Sequence, residues 1–513
     1  MTDVLPINTG KPAIKKIIDL GGLDIPLASE HLPKHFSDQR FSPGEWVLIQ
    51  GENLSARELF IDNKRVSVDR YYGRLPLIQI PTGLSPLKEH QISINTDFGK
   101  ASYSFHTQHY IAATDTDGKT THLIRTNAKS EGGVEEWLSL TSDADRPMFN
   151  LISADSRFLF SINIDDRAEV NQDAEMHSFV MEIITYHLAA PNSPAEIARF
   201  KTEIGSTPID AVINSHNKII LLGKNSLTLV DASNPHQLQN NAQFMLPKNK
   251  ERTAFVDAAF VDNNKKIVAL ETYSNSLVLL DIESPNISLL DQMHLLPTKT
   301  IPLSIDIEVN PENSQEFWVL QGSNYRLANK KLIALYKKIL QKKEAVESEK
   351  PVNQLQKLRV NQNKLELSST LKMDNKYAYY YSTFGQDGRL YLSSTKLEWF
   401  ISTQDKKPKN LLGNIGSKVW DTVSIGRIIA LDTQTEKVQT IASGFGIYYH
   451  LVDVPDIGPV FTLAKIGPSP LAMMMVQPYW GVGVKSTGTY AKRKMDKYAI
   501  FPPYSLGFIA YQY

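Results

Sequence analysis

Along "EWVLIQGENL" the side chains alternate, Trp46, Leu48 and Gln50 on one face against Val47 and Ile49 on the other. A period of two marks a half-buried strand. The same pattern makes "KPAIKKI" a short strand and "ELFIDNKRVSV" a hairpin around Asp62 and Asn63. "LPLIQIPTGL" and "HQISINTDFGKASYSF" supply two more strand regions, and Gly51 and Asn53 read as turn residues. One detour, "IDLGGLDIPLASEHLPKHFSDQR", interrupts the series. Turn signals otherwise arrive about every 10 residues, as in a β-sandwich.

Beyond His106 the pattern becomes a repeat. "TPIDAVINSHNKIILLG", "AFVDAAFVDNNKKIVALE" and "LSIDIEVNPENSQEFWVLQG" each carry a strand with an aspartate, a polar turn and a second apolar strand. The aspartates are Asp210, Asp257 and Asp306, spaced 47 and 49 residues apart. "NSLTLVDASNP" and "NSLVLLDIESP" give a second register, with Asp231 and Asp281 each four residues before a proline, and "GRIIALDTQTEKV" repeats the idea at Asp432. "FNLISADSRFLFSI", "YYYSTFGQDGRLYLSS" and "YYHLVDVPDIGPVFTLA" supply further two-strand cores. A period of about 40–50 residues with several short strands per unit predicts a β-propeller. Seven blades is the best count, with a final unit shared between early and late strands. The recurring aspartates read as structural, each ending a strand and accepting hydrogen bonds from the following turn.

The expected fold is therefore all-β: a sandwich over 1–106 with an inserted segment at 18–40, then a propeller over 107–513 with insertions at 165–178 and 329–358. The insertion "NKKLIALYKKILQKKEAVESEKPVNQLQKL" predicts a helix over 330–344. Leu332, Leu335, Tyr336 and Ile339 share one face, and Lys330, Lys331, Lys337, Lys338, Lys342 and Lys343 cover the rest. Two readings stand: a docking helix for an acidic partner or anionic lipid head groups, or a solvated helix on the rim. On the first, Tyr336, Lys337, Lys338 and Lys342 are the contact residues, an aromatic anchor ringed by cations. "YAKRKMDKYAIFPPY" is a second basic-aromatic cluster.

Two resemblances follow from these stretches. "PAIKKI", "SPGEWVLIQGENL", "IQIPTG" and "ISINTDFGKAS" resemble the IPT/TIG family of immunoglobulin-like domains, over residues 11–106. That resemblance implies a spacer or binding module, common at cell surfaces, with no catalytic residues to transfer. "LETYSNSLVLLDIESP" and "NSLTLVDASNP" resemble YVTN/LVIVD-type propeller repeats, which imply architecture and say little of function.

Composition narrows the classes. The chain has 513 residues, 42% hydrophobic and 21% charged, enough for two or three cores of a soluble globular protein. Its 55 basic and 55 acidic side chains cancel, which argues against a whole-surface nucleic-acid or membrane binder. With no cysteine there is no disulfide framework, thiolate zinc site or cysteine nucleophile. No apolar run reaches the roughly 18 residues of a membrane helix. "MTDVLPINTGKP" lacks the features of a secretory signal. Two compartments remain open, the periplasm or cell surface (an exported domain without its signal) and, as runner-up, the cytoplasm.

Candidate chemistry is sparse. There is no H-E-x-x-H and no G-x-S-x-G, and "GVGVKSTG" lacks the full phosphate-loop spacing. "TDTDGKT", with Asp115 and Asp117, lacks the third carboxylate and distant Glu of a calcium loop. Met473, Met474 and Met475 alternate faces on a strand and cannot converge on one ion. No metal, cofactor or catalytic residue is assigned. The expectation is a binding scaffold of the bacterial cell envelope whose propeller holds protein partners. The alternatives are a glycan-active hydrolase or lyase using the propeller funnel, and a surface adhesin.

Overall fold

The computed structural model describes residues 6–19, 40–41, 46–114, 120–165, 179–322, 353–399, 422–466 and 504–510, less turns of one to eight residues inside those ranges. Every regular element among them is a strand. Nine strands form two facing sheets. One runs Ala13–Asp19, Trp46–Glu52, Leu75–Gln79, Arg70–Tyr72 in lateral order. The other runs Arg40–Phe41, Gly99–Thr107, Glu89–Thr96, Glu58–Ile61, Lys64–Ser67. Alternation explains the pairing: Val47 and Ile49 point inward to meet Ile61, Ile92, Ile94 and Phe105 of the opposite sheet in one core. The outward face is apolar too, since Leu48 is buried against Leu77 and Trp46.

Local chemistry fixes the turns. Asp62 and Asn63 join Glu58–Ile61 to Lys64–Ser67 with φ of 47° and 68°, the left-handed pair that a two-residue hairpin needs. Gly51, expected in a turn, lies instead within the strand Trp46–Glu52 opposite Ile14. A Cβ there would stand 2.0 Å from the Ala13 carbonyl oxygen, so close strand approach, not turn geometry, demands glycine.

Seven antiparallel sheets follow, spanning 110–141, 147–204, 208–245, 255–294, 303–372, 378–445 and 447–510. The first and last have three described strands and the other five have four, in simple sequence order. These are the blades of a β-propeller. The closing sheet expected to combine early and late strands is not formed by the described residues, because the first and seventh blades pair only within themselves. Successive first strands touch, so each blade's first strand is its innermost.

The middle blades hold together because their sheets carry apolar residues on both faces. In the fifth blade Phe317 and Val319 face the fourth, packing on Val268, Leu270 and Leu279. Their neighbours Trp318 and Leu320 face the sixth, packing on Tyr379, Leu392 and Ile429. The expected helix over 330–344 lies outside the described residues, as do most of the insertions at 18–40 and 165–178. The strand Gln354–Asn361 begins inside the insertion expected at 329–358.

The sandwich's last strand runs almost directly into the first blade. The Gln108 amide donates to the Phe41 carbonyl (3.0 Å) and the His109 amide to Thr126 Oγ1 (3.0 Å), tying this junction to both units. Part of His109 reaches the surface, yet its Nε2 is shielded. Burial pushes the imidazole down to about 4, against a smaller opposing effect of the Leu84 carbonyl.

Two outcomes are expected. Phe317→Ala, a truncation of a fully buried ring, lowers stability by about 3–5 kcal/mol in urea unfolding, whereas Leu289→Ala at a 45% exposed site changes it by less than about 1 kcal/mol. For His109, the unfolded chain near pH 6.5 takes up a proton that the folded chain refuses until about pH 4. Its contribution is thus full above about pH 6.5 and falls as pH drops toward 4, by up to about 3 kcal/mol. Unfolding at pH 4.5 and 7 compares wild type with His109→Gln, whose difference between the two pH values should be smaller by that amount.

Candidate functional face

Antiparallel order sorts the connections by end. Those from second to third strand and from one blade to the next leave the end where the innermost strand starts, here termed the upper face. Those from first to second and third to fourth leave the lower face. Lower connections are uniformly short, for example 115–119, 214–217, 262–265, 310–315, 385–388 and 455–457. Four stretches of the chain, 165–178, 323–353, 400–421 and 467–503, separate the second from the third described strand in the second, fifth, sixth and seventh blades. The strand ends that flank them lie at the upper face.

The lower face is stitched shut. Asn264 Nδ2 donates to Ser215 Oγ (3.1 Å), joining the third and fourth blades. The Asp262 amide donates to the Ser314 carbonyl (2.8 Å) and Gln315 Nε2 to Asp262 Oδ1 (3.0 Å), joining the fourth and fifth. Lys266 bonds Asp262 at 2.8 Å. Hydrogen bonds from Lys266 and Gln315, with the Lys266 and Lys265 charges, hold the Asp262 carboxyl below its usual range against its partial burial.

The repeated aspartates split into two kinds. Asp231, Asp281 and Asp432 end third strands and accept from the next turn as expected: from the Ser233 amide at 2.9 Å, the Glu283 amide at 3.1 Å, and the Gln434 and Thr435 amides at 2.9 Å. Asp210, Asp257 and Asp306 behave differently. They are buried in innermost strands, each where the pairing register shifts. A bulge turns the carboxylate along the strand and toward the next blade. Asp257 Oδ1 accepts from the Ala258 amide (2.8 Å) and Oδ2 from the Ile307 amide of the fifth blade (2.7 Å). Asp306 Oδ2 accepts from the Ser382 amide and hydroxyl (2.7 Å for the latter) of the sixth. Asp210 Oδ1 accepts from the adjacent Ala211 amide (2.8 Å). The structural reading holds, but Asp257 and Asp306 lock blade to blade where a turn cap was expected. The period alone located the residues, and only the bulge reveals their reach.

At the upper ends, buried polar pairs clasp the second and third strands, Ser276 with Glu271 (3.1 Å) and Gln354 with Gln321, and in the third blade Ser206 of the preceding connection bonds Ser226 of the third strand (2.8 Å). In the sixth blade the clasp is a cation. Arg427 Nε donates to Ser394 Oγ (3.0 Å) and Nη2 to Tyr379 OH (2.9 Å), with the guanidinium 3.3 Å above the Tyr377 ring. Burial raises the Tyr379 hydroxyl, against the Arg427 charge. No sequence motif marked this cluster, because its residues come from three strands and a loop.

Tyr336, Lys337, Lys338 and Lys342 lie outside the described residues, as do Asp115, Asp117, Met473, Met474 and Met475. Among the described residues no three His, Asp or Glu side chains cluster to hold a metal ion. No helix among them is long and apolar enough to cross a membrane.

No protein-family model and no curated protein matches the chain. Solved structures do match. A proposed 6-phosphogluconolactonase of Bacteroides fragilis is 13% identical with TM-score 0.43, over 69% of this chain and 87% of that one. The periplasmic gluconolactonase of Pseudomonas aeruginosa is 12% identical with TM-score 0.38, over 79% and 93%. The β-propeller domain of Cps50 (Swd1) from Myceliophteria thermophila is 11% identical with TM-score 0.39, over 70% and 96%. Each likeness is one of fold alone. The blades stand on their own strand pairing.

Asp306→Asn should lower stability by about 1.5–3 kcal/mol, the range for a buried hydrogen bond to a charged group. Ser382→Ala should cost about 1 kcal/mol, and the double variant less than the two together by about 0.5 kcal/mol or more. Additive losses in denaturant unfolding would show that the two side chains do not act as a pair.

Proposed function

We propose that this protein is a non-catalytic binding scaffold of the bacterial cell envelope, with the upper propeller face as its protein-interaction platform. The observation that carries this reading is that the strand ends flanking the four longest separations within blades all lie at the upper face, opposite a face of short, cross-bonded turns. Irregular segments on a rigid sheet frame are where proteins place recognition. Two carboxylates of the innermost strands, Asp257 and Asp306, are engaged with backbone amides of the neighbouring blade. That supports contact over acid–base chemistry.

Within this reading the front sandwich is an IPT/TIG-like spacer or second contact, the blades are YVTN-type repeats, and the protein is exported to the periplasm or cell surface. The connection 323–353 carries Tyr336, Lys337, Lys338 and Lys342, whose chemistry suits an acidic partner surface.

Charge reversal of Lys337, Lys338 and Lys342 to Glu tests the platform. Capture of envelope proteins on immobilised full-length chain, read by mass spectrometry, should fall roughly tenfold at low salt and less at high salt, with melting unchanged. Unaltered capture removes this segment from the interface. Turnover of a defined glycan or ester, abolished by one substitution in the propeller funnel, overturns the non-enzymatic reading.

A further inference from the structure

The Arg427 cluster lies between two roots of that face. Arg427 sits on the third strand of the sixth blade, Thr422–Asp432, which begins where the connection 400–421 ends. Its neighbours Ile429 and Leu431 face the fifth blade, so Arg427 does too. Across the seam, Asn353 immediately precedes the fifth blade's third strand, Gln354–Asn361. Its buried side-chain amide donates to the carbonyls of Asp374 (3.2 Å) and Tyr377, and its carbonyl accepts from the Met373 amide (2.8 Å). The loop that carries Tyr377 is thereby fixed, and the ring under the guanidinium with it.

The guanidinium is held on three sides and left with charge to spare. Of its five N–H donors, Nε uses one on Ser394 and Nη2 one on Tyr379. Nη1 and the second N–H of Nη2 are left for an incoming acceptor. No carboxylate among the described residues stands within ion-pairing distance of it. Ser394 and Tyr379 are fully buried and neutral, so they orient the cation without cancelling it. Sheltering a cation without a counter-charge is costly. An arginine kept rigid by stacking and hydrogen bonds, with coplanar donors to spare, has the form of an oxyanion receptor.

We infer that Arg427, with Tyr377, Tyr379 and Ser394, forms a recognition site for a carboxylate presented at the seam between the fifth and sixth blades. Two coplanar N–H groups match a planar carboxylate. Asp374, whose charge acts on Tyr379, repels a dianionic phosphate more than a singly charged carboxylate. The inference deepens the scaffold reading by naming a chemical group that its ligand offers. The carboxylate comes either from an acidic protein segment or from a free small acid.

Calorimetric titration of the full-length chain with glutarate, with a hexaglutamate peptide and with inorganic phosphate tests it. Wild type should bind glutarate and the peptide, and phosphate more weakly. Arg427→Lys should weaken both carboxylate probes about tenfold or more, since lysine reproduces the charge but not the fork. If that variant fails to fold, Ser394→Ala, which keeps the guanidinium but frees Nε, should weaken glutarate about threefold to tenfold. A peptide bound far more tightly than glutarate identifies a protein segment as the source, and equal affinities identify a small acid. The Lys337, Lys338 and Lys342 reversal should leave the glutarate arm unchanged. Loss of envelope capture with glutarate binding intact would touch the scaffold reading alone. Glutarate binding equal in wild type and Arg427→Lys, or phosphate bound more tightly than glutarate, overturns the carboxylate site.

Discussion

The described blades from the second to the sixth depend on burying their faces against one another. A four-stranded sheet with one apolar face can cover it with a helix or a second sheet. Here adjacent positions of one strand, Phe317 with Val319 and Trp318 with Leu320, serve two different cores. Such a sheet has no stable existence alone, so a chain of them must stack side by side. The requirement falls hardest at the innermost strands, where backbones converge. Asp257 and Asp306 meet it by carrying hydrogen bonds from one inner strand to the next. A charged acceptor at a buried seam is stable only when its oxygens are filled, and Asp257 fills one within its own strand and the other across the seam.

This constraint also decides where the sequence is free to vary. Lower connections must turn tightly to keep first and second strands in register, and several are cross-bonded to the next blade. Second-to-third connections begin and end at upper clasps such as Gln321 with Gln354. Once such a clasp is closed, the length of chain between its halves costs little, since loop-closure entropy grows only slowly with length. The fifth blade shows the consequence. Gln321 and Gln354 pair directly although 323–353 intervenes, while in the fourth blade Glu271 and Ser276 make the equivalent pair across a short turn.

Much of this was legible in the residues. Period-two alternation located the strand Trp46–Glu52, and Asp62 with Asn63 located the hairpin between Glu58–Ile61 and Lys64–Ser67, because both signals are local. The spacing of Asp210, Asp257 and Asp306 located three inner strands, since a repeat places equivalent residues equivalently. What those aspartates bond was not legible. Ile307 is distant in sequence from Asp257, and a bulge is a property of pairing, not of composition. Gly51 misled for the same reason: glycine marks close approach as readily as a turn, and the partner, Ala13, lies on another strand. The Arg427 site was silent because Tyr377, Tyr379, Ser394 and Arg427 form no spacing that a single segment can carry.

Charge balance gains a different meaning once the residues are in place. Zero formal net charge argued against long-range attraction to any one class of partner. Yet the neutrality is a sum over separated environments. Acidic groups such as Asp257, Asp306 and Asp262 are turned inward or bonded to neighbouring blades. Arg427, by contrast, is held at an upper seam with donors to spare, and its partners there are neutral hydroxyls and a ring. Within a few ångströms such a group acts on a ligand through hydrogen-bond geometry more than through net charge, and salt screens it little. A neutral chain with such a group selects by hydrogen-bond geometry at contact more than by attraction from a distance.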